Sequence, residues 1–189
     1  MESKILFINA CARPNSRTYE LAGHLLAKIE GEITQVDLYK TDVKPIDNEE
    51  LEKRTKNIKE CNFSCKEFEA AKQFSYADTI VIAAPFWDLS FPAVLKSYFE
   101  NITVSGVTFE YSEEGRPIPK CNAKKLYYIT TSGGYIGENN FGFDYVKALA
   151  ENFFGIADVR FFSAEGLDIF GADVKKIMMD AKEHISNLL

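Results

Sequence analysis

Short apolar runs alternate with helical patterns along almost the whole chain. Five runs have the length of strands, and those at 5–10 and 79–84 are nearly uninterrupted. Continuous apolar runs of this length are typical of strands buried on both faces of a parallel sheet. The other three lie at 33–38, where apolar and polar residues alternate, at 125–131 and at 158–163. We therefore predict five strands.

The segments between these strands repeat apolar residues at spacings of three and four, which predicts helices. Helices are predicted from near Tyr19 to a stop at Gly31, within 47–75 with an interruption near Asn62, from near Pro92, at 141–154 before Gly155, and at 173–189. The segment 106–119 alternates around a turn signal at Gly115 and predicts a short hairpin-like excursion. Strands that alternate with helices predict a three-layer α/β sandwich, a five-stranded parallel sheet in the order 2-1-3-4-5.

Length and charge limit the kind of protein. The 189 residues, 46% of them hydrophobic, suit a single domain spanning 1–189. The formal net charge of −6 argues against a nucleic-acid partner, because phosphate contacts need a basic face. Neither a signal-peptide pattern nor an apolar run of membrane-spanning length is present, so we expect a cytoplasmic protein with no membrane partner. The spacing of Cys61 and Cys65 could suit a metal knuckle, but no second ligand pair accompanies them and both histidines lie in helical patterns, so we expect reduced thiols and no metal site.

The exits of the first, third and fourth strands carry the candidate chemistry, because they are expected to meet at the carboxyl edge of the sheet. After the first strand, Asn15, Ser16, Arg17 and Thr18 open a helix whose free backbone amides attract an anion. Helix capping by Asn15 or Ser16 is the alternative explanation. The loop lacks both G-x-x-x-x-G-K-S/T and G-x-G-x-x-G, which argues against nucleoside triphosphatases and the dinucleotide fingerprint. A terminal monophosphate on a flat cofactor fits better.

The other two loops supply a flat surface and a close backbone approach. After the third strand, Pro85 ends the apolar run, and Phe86 and Trp87 are able to border a planar ring. Capping of the core is the alternative for these aromatics. After the fourth strand, the T-S-G-G run at 131–134 lets the backbone approach a ligand, or forms an ordinary turn. The three loops together favour a mononucleotide flavin.

Several motifs resemble those of the FMN-dependent NADH-azoreductases, which belong to the flavodoxin-like NAD(P)H:quinone oxidoreductase group. They are A-P-F-W-D-L-S at 84–90, the P-A-V-L-K-S-Y-F-E that follows, G-V-T-F-E-Y at 106–111, I-T-T-S-G-G at 129–134 and A-E-G at 164–166. The resemblance implies a homodimer that binds FMN at the subunit interface. It also implies two-electron ping-pong transfer from NADH or NADPH to a small aromatic acceptor, a quinone or azo compound. By position, the FMN-binding residues would be Ser16, Arg17, Thr18, Pro85, Phe86, Trp87, Asp88, Leu89, Thr131, Ser132, Gly133, Gly134 and Tyr135.

The chain departs from the family pattern at three places. Asp88 stands where many azoreductases have asparagine, Ser132 where they often have arginine, and Tyr135 and Ile136 where they have a histidine. A carboxylate at position 88 would disfavour an anionic reduced flavin unless it points away or is protonated.

The flavin would carry the redox chemistry, so no catalytic side chain is expected. Phe109, Tyr111 and Phe153 are candidates for the pocket wall, with core packing as the alternative. A flavodoxin-type electron carrier is the rival function, and it would bind FMN without a substrate pocket. A cofactor-free α/β hydrolase is disfavoured, because the chain has no G-x-S-x-G elbow.

Overall fold

The computed structural model describes residues 2–189. Its strands are β1 (Lys4–Asn9), β2 (Glu32–Asp37), β3 (Thr79–Ala83), β4 (Phe109–Tyr111), β5 (Pro117–Pro119), β6 (Lys125–Thr131) and β7 (Asp158–Ala164). Its α-helices are α1 (Arg17–Leu26), α2 (Asn48–Lys59), α3 (Glu69–Tyr76), α4 (Ala93–Ile102), α5 (Phe141–Leu149) and α6 (Val174–Leu188).

Five strands form one parallel sheet in the order β2-β1-β3-β6-β7. This confirms the order predicted from the sequence, since β6 and β7 are the fourth and fifth predicted strands. The central strand β3 is buried throughout Ile80–Ala83, as its continuous apolar run predicts. β2 is an edge strand with mostly exposed side chains, which accounts for its alternating sequence.

Two apolar layers hold the helices to the sheet. One face of the sheet packs against α3, α4 and α5 around residues such as Phe74, Leu95 and Phe154. The opposite face packs against α1 and α6 around residues such as Leu21, Leu25 and Ile185. The three-layer sandwich therefore leaves the carboxyl edge of the sheet, where the strand exits meet, uncovered by these helices.

Pro85 interrupts the third apolar run without ending its pairing to β6. The amides of Ala84 and Phe86 donate to the carbonyls of Ile129 and Thr131 at 3.0 Å each. Backbone groups alternate sides along an extended chain, so the Pro85 nitrogen faces the β1 side of the strand. The last bond there is from the Ala10 amide to the Ala83 carbonyl, 2.8 Å. The ladder to β1 therefore ends at this bond, because Pro85 has no amide hydrogen to continue it, while the loop stays fixed to β6 as far as Phe86.

Some predicted boundaries are wrong. α1 ends at Leu26 rather than at Gly31. Gly31 instead has a φ of +151° and lies so close to the Ser3 carbonyl that a side chain would collide with it. The segment 47–75 contains α2, a short 3₁₀ turn at 66–68 and the start of α3, with the interruption near Asn62 as predicted. The last predicted turn before Gly155 is a wider π-type turn at 150–154.

Candidate functional site

A cleft of about 330 Å³ opens at the carboxyl edge of the sheet. The exits of β1, β3 and β6 all contribute to it, as the sequence predicts, and the exit of β7 does so as well. Its walls are formed by Ala12, Arg13, Asn15, Ser16, Arg17, Thr18, Pro85, Phe86, Trp87, Thr131, Ser132, Gly133, Leu167 and Asp168.

The β1 exit places the positive end of α1 in the cleft. Ser16 is the N-cap of this helix, and its hydroxyl accepts from the Tyr19 amide at 3.3 Å. Capping by Ser16 is therefore correct, but it satisfies only one of the free amides of the first turn. Arg13 and Arg17 add two guanidinium groups to the same walls. This end of the cleft has the donors and the charge that a phosphate group needs.

A buried hydroxyl pair joins the β1 exit to the β6 exit. Thr18 is 1% exposed, and its Oγ1 lies 2.6 Å from the Oγ1 of Thr131. The bond fixes the start of α1 against the end of β6, so the phosphate end of the cleft has a defined width.

The β3 exit forms a two-residue turn. Trp87 and Ser90 exchange both backbone hydrogen bonds, at 2.9 and 2.8 Å. Asp88 and Leu89 between them have φ values of 50° and 66°, the pattern of a type I′ turn without the usual glycine or asparagine. No acceptor within residues 2–189 bonds the amides of Asp88 or Leu89. Trp87 is 41% exposed, so one part of its ring packs and another part faces the opening.

The β6 exit is locked to the loop that follows β7. The amides of Gly166, Leu167 and Asp168 donate to the carbonyls of Gly134, Ser132 and Gly133 at 3.0 to 3.1 Å. The Ser132 hydroxyl donates to the Gly134 carbonyl at 2.6 Å. A Cβ on Gly133 would lie 2.6 Å from Oδ2 of Asp168, so a larger residue here would force that carboxylate to move.

An ion pair closes the phosphate end of the cleft. Nη1 of Arg17 lies 2.9 Å from Oδ1 of Asp168, which is 151 residues away in the sequence. Both side chains are partly open to solvent, at 43% and 71%. Asp168 is the only acidic residue on the walls of the cleft.

Nine of the thirteen residues predicted to bind the cofactor line this cleft. They are Ser16, Arg17, Thr18, Pro85, Phe86, Trp87, Thr131, Ser132 and Gly133. Asp88, Leu89, Gly134 and Tyr135 adjoin them in sequence without lining it, and Tyr135 is 79% exposed. Sequence reasoning missed Ala12, Arg13, Leu167 and Asp168; the exit of the fifth predicted strand was the available signal for the last two.

The three aromatic residues predicted as candidates for the pocket wall lie outside the cleft. Phe109 contacts both Tyr111 and Phe153 edge-on, with ring centroids 5.1 Å apart in each pair. None of the three lines the cleft. Within one chain they pack the β4–β5 hairpin against the turn that follows α5.

The thiol of Cys11, close to the cleft, has little reactivity. Cys11 directly follows the β1 exit and is 6% exposed, with its sulfur 3.7 Å from the Ala83 carbonyl. Burial raises the pKa of this thiol to about 11, so it is neutral at pH 7 and a poor nucleophile. Across residues 2–189, no three His, Cys, Asp or Glu side chains are grouped to hold a metal ion.

The fold and the cleft define a protein of the flavodoxin class. The sequence matches the family described as having a flavodoxin-like fold over residues 3–189, and the chain belongs to that family. It is 36% identical to an FMN-dependent NADH:quinone oxidoreductase of Coprothermobacter proteolyticus, with 98% of each chain covered. It is also 36% identical to a protein of the same name from Lachnoclostridium phytofermentans, covering 96% of this chain and 95% of the relative.

Solved structures agree with these relatives. An azoreductase from Bacillus anthracis strain Sterne superposes with a TM-score of 0.84 at 25% identity, covering 98% of each chain. An FMN-dependent NADH-azoreductase from Bacillus anthracis strain Ames Ancestor, solved in complex with FMN, gives a TM-score of 0.78 at 25% identity. That match covers 98% of this chain and 99% of the other.

Proposed function

We propose that this protein is an FMN-dependent NADH:quinone oxidoreductase that also reduces azo compounds. One observation carries the proposal: a helix N-terminus with two arginines and an aromatic loop face the same cleft. The first suits a phosphate group and the second suits a planar ring, the two ends of a mononucleotide flavin. The names of the relatives at 36% identity and of the azoreductase structures support the same activity.

The residues of the cleft fit FMN. Ser16, Arg17 and Thr18 would hold the phosphate, through the amides at the start of α1 and the Arg17 guanidinium. Trp87 and Phe86 would border the ring system. The amides of Asp88 and Leu89, which have no acceptor within residues 2–189, are donors available to the polar edge of the ring. The five residues from Thr131 to Tyr135 would close the opposite edge.

When bound, FMN supplies two-electron hydride transfer from NADH to the acceptor. The protein contributes binding, orientation and charge, and it uses no nucleophile of its own, consistent with the neutral thiol of Cys11. Tyr135, exposed beside the cleft, has a hydroxyl free to donate to an aromatic acceptor. A carboxylate at Asp88, which adjoins the cleft wall in the turn after β3, would disfavour added negative charge on the ring.

We also propose that the protein acts as a homodimer in the cytoplasm. Large apolar side chains are exposed beside the cleft, among them Leu89 at 48% and Phe170, which is fully exposed. Such side chains are suited to an interface. No helix within residues 2–189 has the length and hydropathy needed to cross a bilayer. Light scattering coupled to gel filtration tests the dimer, and a monomer at micromolar concentration would contradict it.

Reconstitution with FMN tests the activity. The purified protein incubated with FMN should retain the visible flavin absorption band after gel filtration, and a colourless protein would refute the proposal. Anaerobic addition of NADH should then bleach the bound flavin rapidly, and a quinone should restore the band.

The same experiment separates the enzyme from its rival. A flavodoxin-type electron carrier would bind FMN but would not be bleached by NADH or NADPH. FMN binding without bleaching by either nucleotide would therefore favour the carrier and exclude the oxidoreductase.

A further inference from the structure

The carboxylate of Asp168 lies at the end of the cleft that is suited to a phosphate. Its Oδ1 is bonded to Arg17, and its Oδ2 lies over Gly133, 2.6 Å from where a side chain on that residue would begin. The carboxylate therefore occupies space between the start of α1 and the exit of β6. A carboxylate therefore lies in a site where the start of α1 and two arginines would attract a negatively charged ligand.

The backbone keeps Asp168 in this position. Its amide donates to the Gly133 carbonyl at 3.0 Å, and the preceding amide of Leu167 donates to the Ser132 carbonyl at 3.1 Å. Only the two side-chain torsions of Asp168 remain free to move the carboxylate. Because the side chain is short and its backbone is fixed, the carboxylate stays at this end of the cleft whichever torsions it adopts.

A phosphate bound at the start of α1 would share Arg17 with this carboxylate. A hydrogen bond from the Arg17 guanidinium to Asp168 leaves one fewer donor for the phosphate. The Asp168 carboxylate and the phosphate, both bonded to Arg17, would also repel each other. The two wall arginines carry two positive charges, of which Asp168 neutralises one. The repulsion is directed at the phosphate, because Asp168 is bonded to Arg17 at the start of α1.

We propose that Asp168 competes with the cofactor's phosphate for Arg17 and so sets how tightly a phosphorylated flavin is held. The inference rests on the proposed FMN site. The residue weakens binding of FMN selectively and leaves binding of the flavin ring unchanged. Bound FMN should therefore dissociate more readily than it would from the same site without the Asp168 carboxylate.

FMN and riboflavin are the probes, since they share the ring and differ by the phosphate. Dissociation constants are measured by quenching of flavin fluorescence for the wild-type protein, Asp168→Asn and Arg17→Met, and for the last two changes combined. Asp180→Asn is the matched control, because Asp180 is exposed on α6 and has no hydrogen-bond or ion-pair partner in residues 2–189. Circular dichroism checks that each variant is folded.

Asp168→Asn should bind FMN about three- to tenfold more tightly, the range for losing one like charge and one exposed ion-pair partner. Its riboflavin affinity, and both affinities of Asp180→Asn, should stay within about twofold of wild type. In the Arg17→Met background the gain should be smaller, about threefold or less, because only the loss of the like charge remains and no guanidinium is left to be released.

Three results would overturn the inference. Equal or weaker FMN binding by Asp168→Asn would contradict the competition, since equal binding would show that the carboxylate does not act on the phosphate and weaker binding that it positions Arg17 for the phosphate. An equal gain for riboflavin would show that the effect is not on the phosphate. A wild-type protein that binds neither flavin would overturn the proposed function as well, whereas the first two results leave that function standing.

Discussion

The hydroxyl pair of Thr18 and Thr131 should contribute measurably to stability. Replacing Thr18 by valine keeps its shape and removes the hydroxyl that lies 2.6 Å from Thr131. A neutral hydrogen bond of this kind is worth about 1 kcal/mol net in a folded protein. For a chain of 189 residues, a loss of that size lowers Tm by roughly 2–4 °C.

Urea denaturation of a double-mutant cycle measures the bond itself. Thr18→Val and Thr131→Val should each lower the free energy of unfolding by about 1 kcal/mol. The double variant should lose about the same amount rather than the sum, because both members of one bond are then absent. FMN affinity of Thr18→Val should also fall, since the start of α1 is no longer fixed to the end of β6.

Thr130→Val provides the matched control next to the pair. The Thr130 hydroxyl is fully buried and has no hydrogen-bond partner within residues 2–189. Its removal should leave stability unchanged or raise it, because an unsatisfied polar group is replaced by an apolar one. If the effects of the two single changes at Thr18 and Thr131 add to within about 0.5 kcal/mol, the bond described here does not contribute as argued.

Three further changes test other parts of the structure. Trp87→Ala should weaken FMN binding by up to about tenfold through lost stacking, and Trp87→Phe should recover part of it; equal affinities measured by fluorescence quenching would place the ring elsewhere. Asp88→Asn should raise the midpoint potential of the bound flavin in spectroelectrochemical titration, because a negative charge is removed; an unchanged or lower potential would show that the carboxylate does not act on the ring. Arg54→Met should lower the free energy of unfolding, measured in urea, by about 2–3 kcal/mol. The buried guanidinium donates to the Asn101 carbonyl at 3.1 Å and to the Asn101 side chain at 3.3 Å. The exposed control Lys56→Met should leave the free energy of unfolding nearly unchanged.

The fold was largely predictable because burial dictates the apolar pattern. The nearly uninterrupted apolar run at 79–84 is typical of a strand covered on both faces, and Ile80, Val81 and Ile82 are fully buried. The alternating run at 33–38 differs because β2 is the edge of the sheet. Helix ends were less predictable, since α1 ends five residues before the glycine that appeared to stop it.

The site was only partly predictable, for two physical reasons. The pairing of Arg17 with Asp168 joins residues 151 positions apart. The predicted strand order places the exits of β6 and β7 side by side, but no local pattern encodes which side chains meet there. The turn at Asp88 and Leu89 has no glycine or asparagine to announce its positive φ values. Its conformation is held by the paired bonds of Trp87 and Ser90 and by the anchoring of Phe86 to β6.

The three backbone hydrogen bonds between the β6 and β7 exits also affect the conformational entropy that this cleft loses when a ligand binds. Because Gly166, Leu167 and Asp168 are already ordered against the 132–134 segment, this wall loses little conformational freedom when a ligand arrives. This wall is therefore ordered by folding before any ligand binds. Its ordering should add little to the heat-capacity change of binding, in contrast to the larger change that accompanies coupled folding.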